Sequence, residues 1–195
     1  ILNYQNTPID LTPPWHRFTL QQLFLKYANI DLSKNLTPKN IIKAAKEKGY
    51  NTTGITTWEP LYTQIFINEI EPHLPTDKPV FIFDYPTQLS PLCLPCPDTP
   101  DFSQRFEFYI GGMEIGNAYT ELTDGKIMKK NFIAESRFRN THHLPNHPYD
   151  DRFVTAVSKL PSCAGIGLGV DRLSMLFANT PDISDVLYFS TQKLL

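Results

Sequence analysis

Apolar and polar residues alternate with two different periods along this chain, and the change of period divides it. Leu20, Leu23, Phe24 and Tyr27 recur at the helical spacing, and Thr19 with Gln22 forms a capping-box pattern in front of them, which predicts a short amphipathic helix. A second helix is predicted from the cap Thr37 and the first-turn Pro38 through Ile41 and Ala45 to Gly49, and a third over roughly Trp58 to Ile70, ended by Pro72 and Pro75. From Val80 the pattern becomes a short apolar run, Val80 to Phe83, suited to a buried strand, followed by a proline-rich loop from Tyr85 to Phe102. Phe106 to Ile110 and Met113 to Ala118 flank Gly111-Gly112 and predict a hairpin with a two-residue turn. Further helices are predicted at about Met128 to Arg139, Asp150 to Leu160 and Val170 to Phe177, a strand reaching Gly167, and a last strand at Val186 to Phe189. Residues 1–18, polar and broken by Pro13-Pro14, read as a connector. Strands and helices mix without strict alternation, so the expected class is α+β, a mainly antiparallel sheet flanked by helices.

Composition narrows the chemistry. Eighteen Lys and Arg against 20 Asp and Glu leave a net charge of −2 in 195 residues, so no global basic field attracts nucleic acid, and any polyanion is met locally. No apolar run approaches the ~20 residues of a bilayer span and no basic-then-apolar leader opens the chain, so it reads as cytoplasmic with no membrane partner. Three cysteines cannot all pair and are read as thiols.

Six of the 9 glycines fall in two windows, Gly111, Gly112 and Gly116, then Gly165, Gly167 and Gly169. A strand is weakened by glycine, so repeated glycines mark a tight turn or a surface that something approaches closely. With Gly111-Gly112 as the turn, Tyr109 faces Glu114 and Glu107 faces Gly116, and alternation puts Glu107, Tyr109, Glu114 and Gly116 on one face. The other face, Phe106, Phe108, Ile110, Met113 and Ile115, is apolar and is expected to pack inward. Two carboxylates on one surface suit a divalent cation such as Mg²⁺, which takes one or two protein carboxylates and completes its shell with phosphate and water. An amphipathic hairpin with a solvated polar side is the alternative. Glu121 adds a third acid, and Asn117 and Tyr119 bring an amide and a ring, a natural seat for a substrate ammonium. Gly165, Gly167 and Gly169 have period two and leave one face bare, where a flat group could lie. Asp171 and Arg172 follow at the start of the helix, where arginine and a helix N-terminus both favour phosphate. Close helix packing is the alternative reason for these glycines. Neither a phosphate-binding loop nor the dinucleotide fingerprint is present.

Three strings carry a resemblance: RFEFYIGGMEIGNAYTELTD (Arg105 to Asp124), GIGLGVDRLSMLF (Gly165 to Phe177) and DVLYF (Asp185 to Phe189). Together they resemble the C-terminal half of the catalytic domain of class II lysyl-tRNA synthetases, with residues 165–177 similar to motif 3. WEPLYTQIFINEIEPHLPTDKPVFIFDYP (Trp58 to Pro86) and LPNHPYDDRFVTAV (Leu144 to Val157) look more like the short paralogue that attaches β-lysine to a lysine of elongation factor P. The resemblance implies a class II synthetase-like core and an ATP-dependent ligase that activates lysine or β-lysine as an adenylate. The leading expectation is transfer to elongation factor P. The alternatives are a lysyl-tRNA ligase acting on tRNA-Lys and a non-catalytic nucleotide- or amino-acid-binding paralogue. Carried over by position, Glu107 and Glu114 look like the Mg²⁺ carboxylates at ATP. Arg172, with Gly167 and Gly169, looks like the nucleotide site, and Arg172 and Glu114 the groups closest to the chemistry. Asn117, Tyr119, Glu121 and Gly167 look like the lysine pocket. Nothing matches motifs 1 and 2 and the chain opens at Ile1, so all 195 residues read as the C-terminal portion of one catalytic domain, a poor catalyst alone, with a homodimer expected through the missing part.

Three other features read as ordinary surface or core. Cys93 and Cys96 lack the second pair a zinc site wants, His142, His143 and His147 sit in a polar loop, and Lys43, Lys46 and Lys48 make a small basic helix face.

Overall fold

A computed structural model describes residues 1–190. Its centre is a five-stranded sheet in the order β3-β4-β5-β6-β7, formed by His16–Thr19, Val80–Pro86, Phe102–Ile110, Met113–Thr120 and Ala164–Leu168. β3 runs parallel to β4, and the other neighbouring pairs are antiparallel. The α+β class and mainly antiparallel sheet are therefore observed.

The opening residues are not a connector. β1 (Leu2–Tyr4) and β2 (Thr7–Ile9) form a small hairpin, and His16–Thr19 is a sheet strand. Ile9 is fully buried and Tyr4 nearly so, packed with Ile110, Ile115 and Leu176. The polar stretch hides these strands because only one of every two or three of their side chains points inward.

Thr19 caps α1 (Leu20–Leu23) with both bonds of the capping box, and the helix widens into a π-type turn over Phe24–Ala28. α2 (Pro38–Glu47) starts at the cap Thr37 with proline in its first turn, and α3 (Glu59–Ile65) again widens, over Phe66–Ile70. Their apolar stripes, including Leu23, Phe24, Ile41, Leu61 and Ile65, close over one face of the sheet. That face carries Val80, Ile82, Tyr85 and Tyr109, all in the same buried cluster. On the far side of the sheet Phe81, Phe83, Phe106 and Phe108 form an aromatic patch joined by Trp15.

α4 (Gly125–Thr141) and α5 (Asp151–Val157) follow β6, capped by Asp124 and Asp150, and α6 (Val170–Ala178) follows β7. The strand expected at Val186 to Phe189 is absent; Ile183–Asp185 forms a 3-10 turn instead, and Tyr188 and Phe189 are exposed. Among the described residues no helix is long and apolar enough to cross a membrane.

Candidate active site

The two-residue turn at Gly111-Gly112 is present, both glycines with positive φ, and Ile110 pairs with Met113 and Tyr109 with Glu114 as expected. One residue further the register slips. Phe108 pairs with Gly116 and Glu107 with Asn117, so Ile115 is the extra residue of a bulge. The expectation that Glu107 faces Gly116 is corrected by this slip, and Gly116 belongs to the aromatic face. A Cβ there would lie 2.4 Å from Cε1 of Phe108, which is why the position is bare.

The slip puts Asn117 directly across from Glu107 and Tyr119 across from Arg105. Across the next pairing, Gly167 lies beside Asn117 and Gly165 beside Tyr119. Directly opposed residues share a face. Arg105, Glu107, Tyr109, Glu114, Asn117 and Tyr119 therefore line one surface with the two glycines. Glu121 joins them, since a Cβ on Gly165 would lie 2.3 Å from its Oε1. Gly167 has open space above it, the nearest atom to a Cβ being the Asn117 carbonyl oxygen at 3.9 Å.

This surface is not a solvated front with a greasy back. Ile82 pairs with Glu107 and Val80 with Tyr109, so the helical core packs on the same side as the acids. Glu107 is consequently only 8% exposed. Its charge is fully engaged: Tyr85 and Tyr109 donate their hydroxyls to Oε2 at 2.7 and 2.8 Å, and Arg105 donates Nη2 to Oε1 at 2.6 Å. Burial, then the Glu107 charge, pushes both tyrosine hydroxyls well above their ordinary range, so they stay protonated and can donate to the carboxylate. Buried polar groups demand partners, and this carboxylate has three.

Glu114 is more open. Its backbone oxygen accepts from Nη1 of Arg172 at 2.8 Å and its Oε2 from the same nitrogen at 3.3 Å. Arg172 thus lies at the same mouth, carried by the first turn of α6. Gly169, the residue before α6, donates its N–H to the Ile115 carbonyl at 2.8 Å, and a Cβ there would crowd Arg172 and that carbonyl at 3.4 Å. Glu114, Arg172 and Glu71 line an open cleft of about 620 Å³. Burial, then the charges of Glu114 and Glu107, raises the Glu71 pKa above the ordinary carboxylate value.

At the other end, the Tyr119 hydroxyl is raised by burial and then by Glu121. The Cys93 to Cys96 loop lies alongside, with Cys93 bridged to Glu121. Burial and the neighbouring Asp84 raise the Cys96 thiol to about 11, keeping it protonated at neutral pH.

Arg105, Tyr85 and Glu71 are the members that sequence reading missed. Arg105 was detectable, two residues before Glu107 and hence on its face. Tyr85 and Glu71 come from distant segments and carry no local signal.

The arrangement can be tested against the cation that paired carboxylates suggest. A carboxylate has about four acceptor positions; Glu107 has used three and Glu114 is largely free. Among the described residues no cluster of three or more His, Cys, Asp or Glu could hold a metal ion. The donor set fits a Mg²⁺ held mostly by phosphates and by Glu114, with Glu107 offering one remaining position.

The profile of the tRNA synthetases of class II (D, K and N) matches residues 2–193, so the chain belongs to that family. Within it, the chain is 34% identical over 194 residues to a lysine–tRNA ligase of Moorella thermoacetica, covering 99% of this chain and 39% of that protein. It is 35% identical over 191 residues to a lysine–tRNA ligase of Thermoanaerobacter pseudethanolicus, covering 97% and 38%, and 33% identical over 189 residues to one of Chloroflexus aurantiacus, covering 96% and 38%. The chain spans about two-fifths of the length of these relatives.

Proposed function

We propose that this chain carries the lysine- and ATP-binding part of a cytoplasmic lysine–tRNA ligase. The observation that supports it best is the single face shared by Glu121, Asn117, the open Gly167 position, Glu107 and Glu114. Glu121 would pair with the substrate ammonium, with the Tyr119 ring beside it. Gly167 leaves room for the flat amino-acid and nucleotide groups. Arg172 and the bare Gly169 would receive the nucleotide, and Glu114 with Glu107 the magnesium of Mg-ATP. Mg²⁺ supplies neutralisation of the triphosphate charge. The lysine carboxylate would attack the α-phosphate, forming the mixed anhydride and releasing pyrophosphate. The protein contributes alignment and charge, with no side-chain nucleophile.

Transfer to tRNA now takes precedence over transfer to elongation factor P, because the relatives bear the former activity in their names. The test uses the intact gene product that carries this chain, ATP and labelled lysine or β-lysine, with tRNA or elongation factor P as acceptor. Label on tRNA supports the reading; label only on elongation factor P restores the other. Absence of lysine-dependent ATP–pyrophosphate exchange would leave a non-catalytic binder. In the same assay Glu114→Gln should lower exchange at least a hundredfold, because the amide keeps the shape and loses the charge facing magnesium. Unchanged exchange would remove Glu114 from the metal site.

A further inference from the structure

Arg105 has no role in the reading above, yet it touches more of the site than any residue assigned there. Nη2 binds Glu107 at 2.6 Å, and Nε binds Oδ1 of Asn117 at 3.1 Å. Nη1 donates to the Leu89 carbonyl at 3.1 Å and to Oγ of Ser90 at 3.2 Å. The guanidinium carbon sits 4.6 Å from the centre of the Tyr85 ring. With 17% of its side chain exposed, the arginine is held on all edges of its plane.

One consequence is chemical. A guanidinium only donates, so the Asn117 atom facing it must be the oxygen. The amide is thereby fixed in one of its two orientations, and its nitrogen is the atom left for the cleft. Among the described residues that nitrogen has no hydrogen-bond partner, and it stands beside Gly167, where the floor is open. Without Arg105 the amide could turn over and present an acceptor.

We infer that Arg105 is a positioning residue that sets Asn117 as a hydrogen-bond donor toward an oxygen of the amino-acid substrate, its carboxylate, while holding Glu107 at the nucleotide end. This rests on the proposed lysine site and deepens it. An anionic oxygen sits at Asn117 and the ammonium at the Glu121 carboxylate, which lies over Gly165 beside Tyr119, two residues or about 7 Å along the strand from Asn117. The substrate class is thus a long amino acid charged at both ends. A lysine in place of Arg105 keeps the positive charge beside Glu107 but cannot grip Glu107, Asn117 and Ser90 at once.

Lysine binding to the intact gene product, measured by calorimetry without ATP or magnesium, tests this. Arg105→Lys and Asn117→Ala should each weaken lysine binding at least tenfold, and the double variant no more than either alone, because both remove the same donor. Asn117→Asp keeps the partner of Arg105 and removes the donor, so it should fold as wild type and still bind at least tenfold more weakly. The inference is overturned if Arg105→Lys or Asn117→Asp binds as wild type, or if the effects of Arg105→Lys and Asn117→Ala multiply. Should Arg105→Lys not fold, Asn117→Asp alone decides. A wild-type protein that binds no lysine overturns the proposed function itself, a result distinct from all of these.

Discussion

Gly165 and Glu121 occupy one volume. A methyl group at Gly165 would lie 2.3 Å from the Glu121 carboxylate oxygen, and only that flexible side chain stands in its way. Gly165→Ala should therefore displace Glu121 with little loss of stability, because the far end of a flexible side chain gives way cheaply. Lysine affinity should fall about tenfold, one lost charge-assisted contact, while the thermal midpoint stays within about 2 °C, less than one kcal/mol in a chain of this length. Calorimetry and a melting curve on the same preparation check both halves. Equal affinity in the two proteins would mean that Glu121 does not hold the ammonium. At this scale the sequence was informative because period-two glycines and alternating acids are local patterns. Of the three donors on Glu107, Tyr85 was not legible. Tyr85 reaches it from another strand, and only the fold brings the two together.

Among the elements, the clearest expectations were those whose ends carry their own chemistry. Thr37 accepts from the Asn40 N–H and Pro38 opens α2, as the cap pattern predicted. Thr37→Ala should lower stability by about 1 kcal/mol, the usual cost of a lost cap, measured by urea denaturation; a change indistinguishable from zero would show that α2 is held by packing alone. β3 escaped notice because it is four residues long and its ladder partners, Val80 to Phe83, lie far along the chain. The bulge at Ile115 escaped because nothing in a hairpin sequence announces an extra residue when no turn glycine sits there. It nevertheless decides the site, by aligning Asn117 with Glu107. The apolar run at Val186 to Phe189 failed for the opposite reason. Strand propensity needs a neighbouring ladder, and instead Asp182 accepts from the Ser184 N–H while Thr180 bonds Asp185, closing a tight turn.

For the whole molecule, the sheet and the helices over it form one core that also walls the site, so stability and site share titratable groups. Tyr62 and Tyr50 lie in that helical layer. Burial raises both hydroxyls, with the Glu107 charge adding at Tyr62 and a bond to Glu69 at Tyr50, which moves from 10.0 to about 12. The fold favours the protonated form of each. The corresponding stability is present in full below the unfolded value near 10 and is lost as pH rises through 12 and beyond. Urea midpoints should therefore decline once the pH passes about 10, with tyrosinate absorbance appearing as the protein unfolds. A midpoint independent of pH in that range would contradict the burial of these hydroxyls. Fold class, hairpin, motif-like glycine strand and acid set were all readable from sequence, because each is a short-range pattern or a long specific string. The side of the sheet on which the acids lie was not. Sequence alternation assigns the two faces but not which one the helices cover.

The central claim is that one face of the sheet seats a charged-ended amino acid and a nucleotide together. A crystal structure of the intact gene product bound to a non-hydrolysable lysyl-adenylate analogue tests it most directly. The account predicts the ε-ammonium on Glu121, the aminoacyl group over Gly167 within reach of the Asn117 amide nitrogen, and the nucleotide beside Arg172. An analogue bound on the aromatic face, or turned so that its ammonium lies at Glu114, would contradict it.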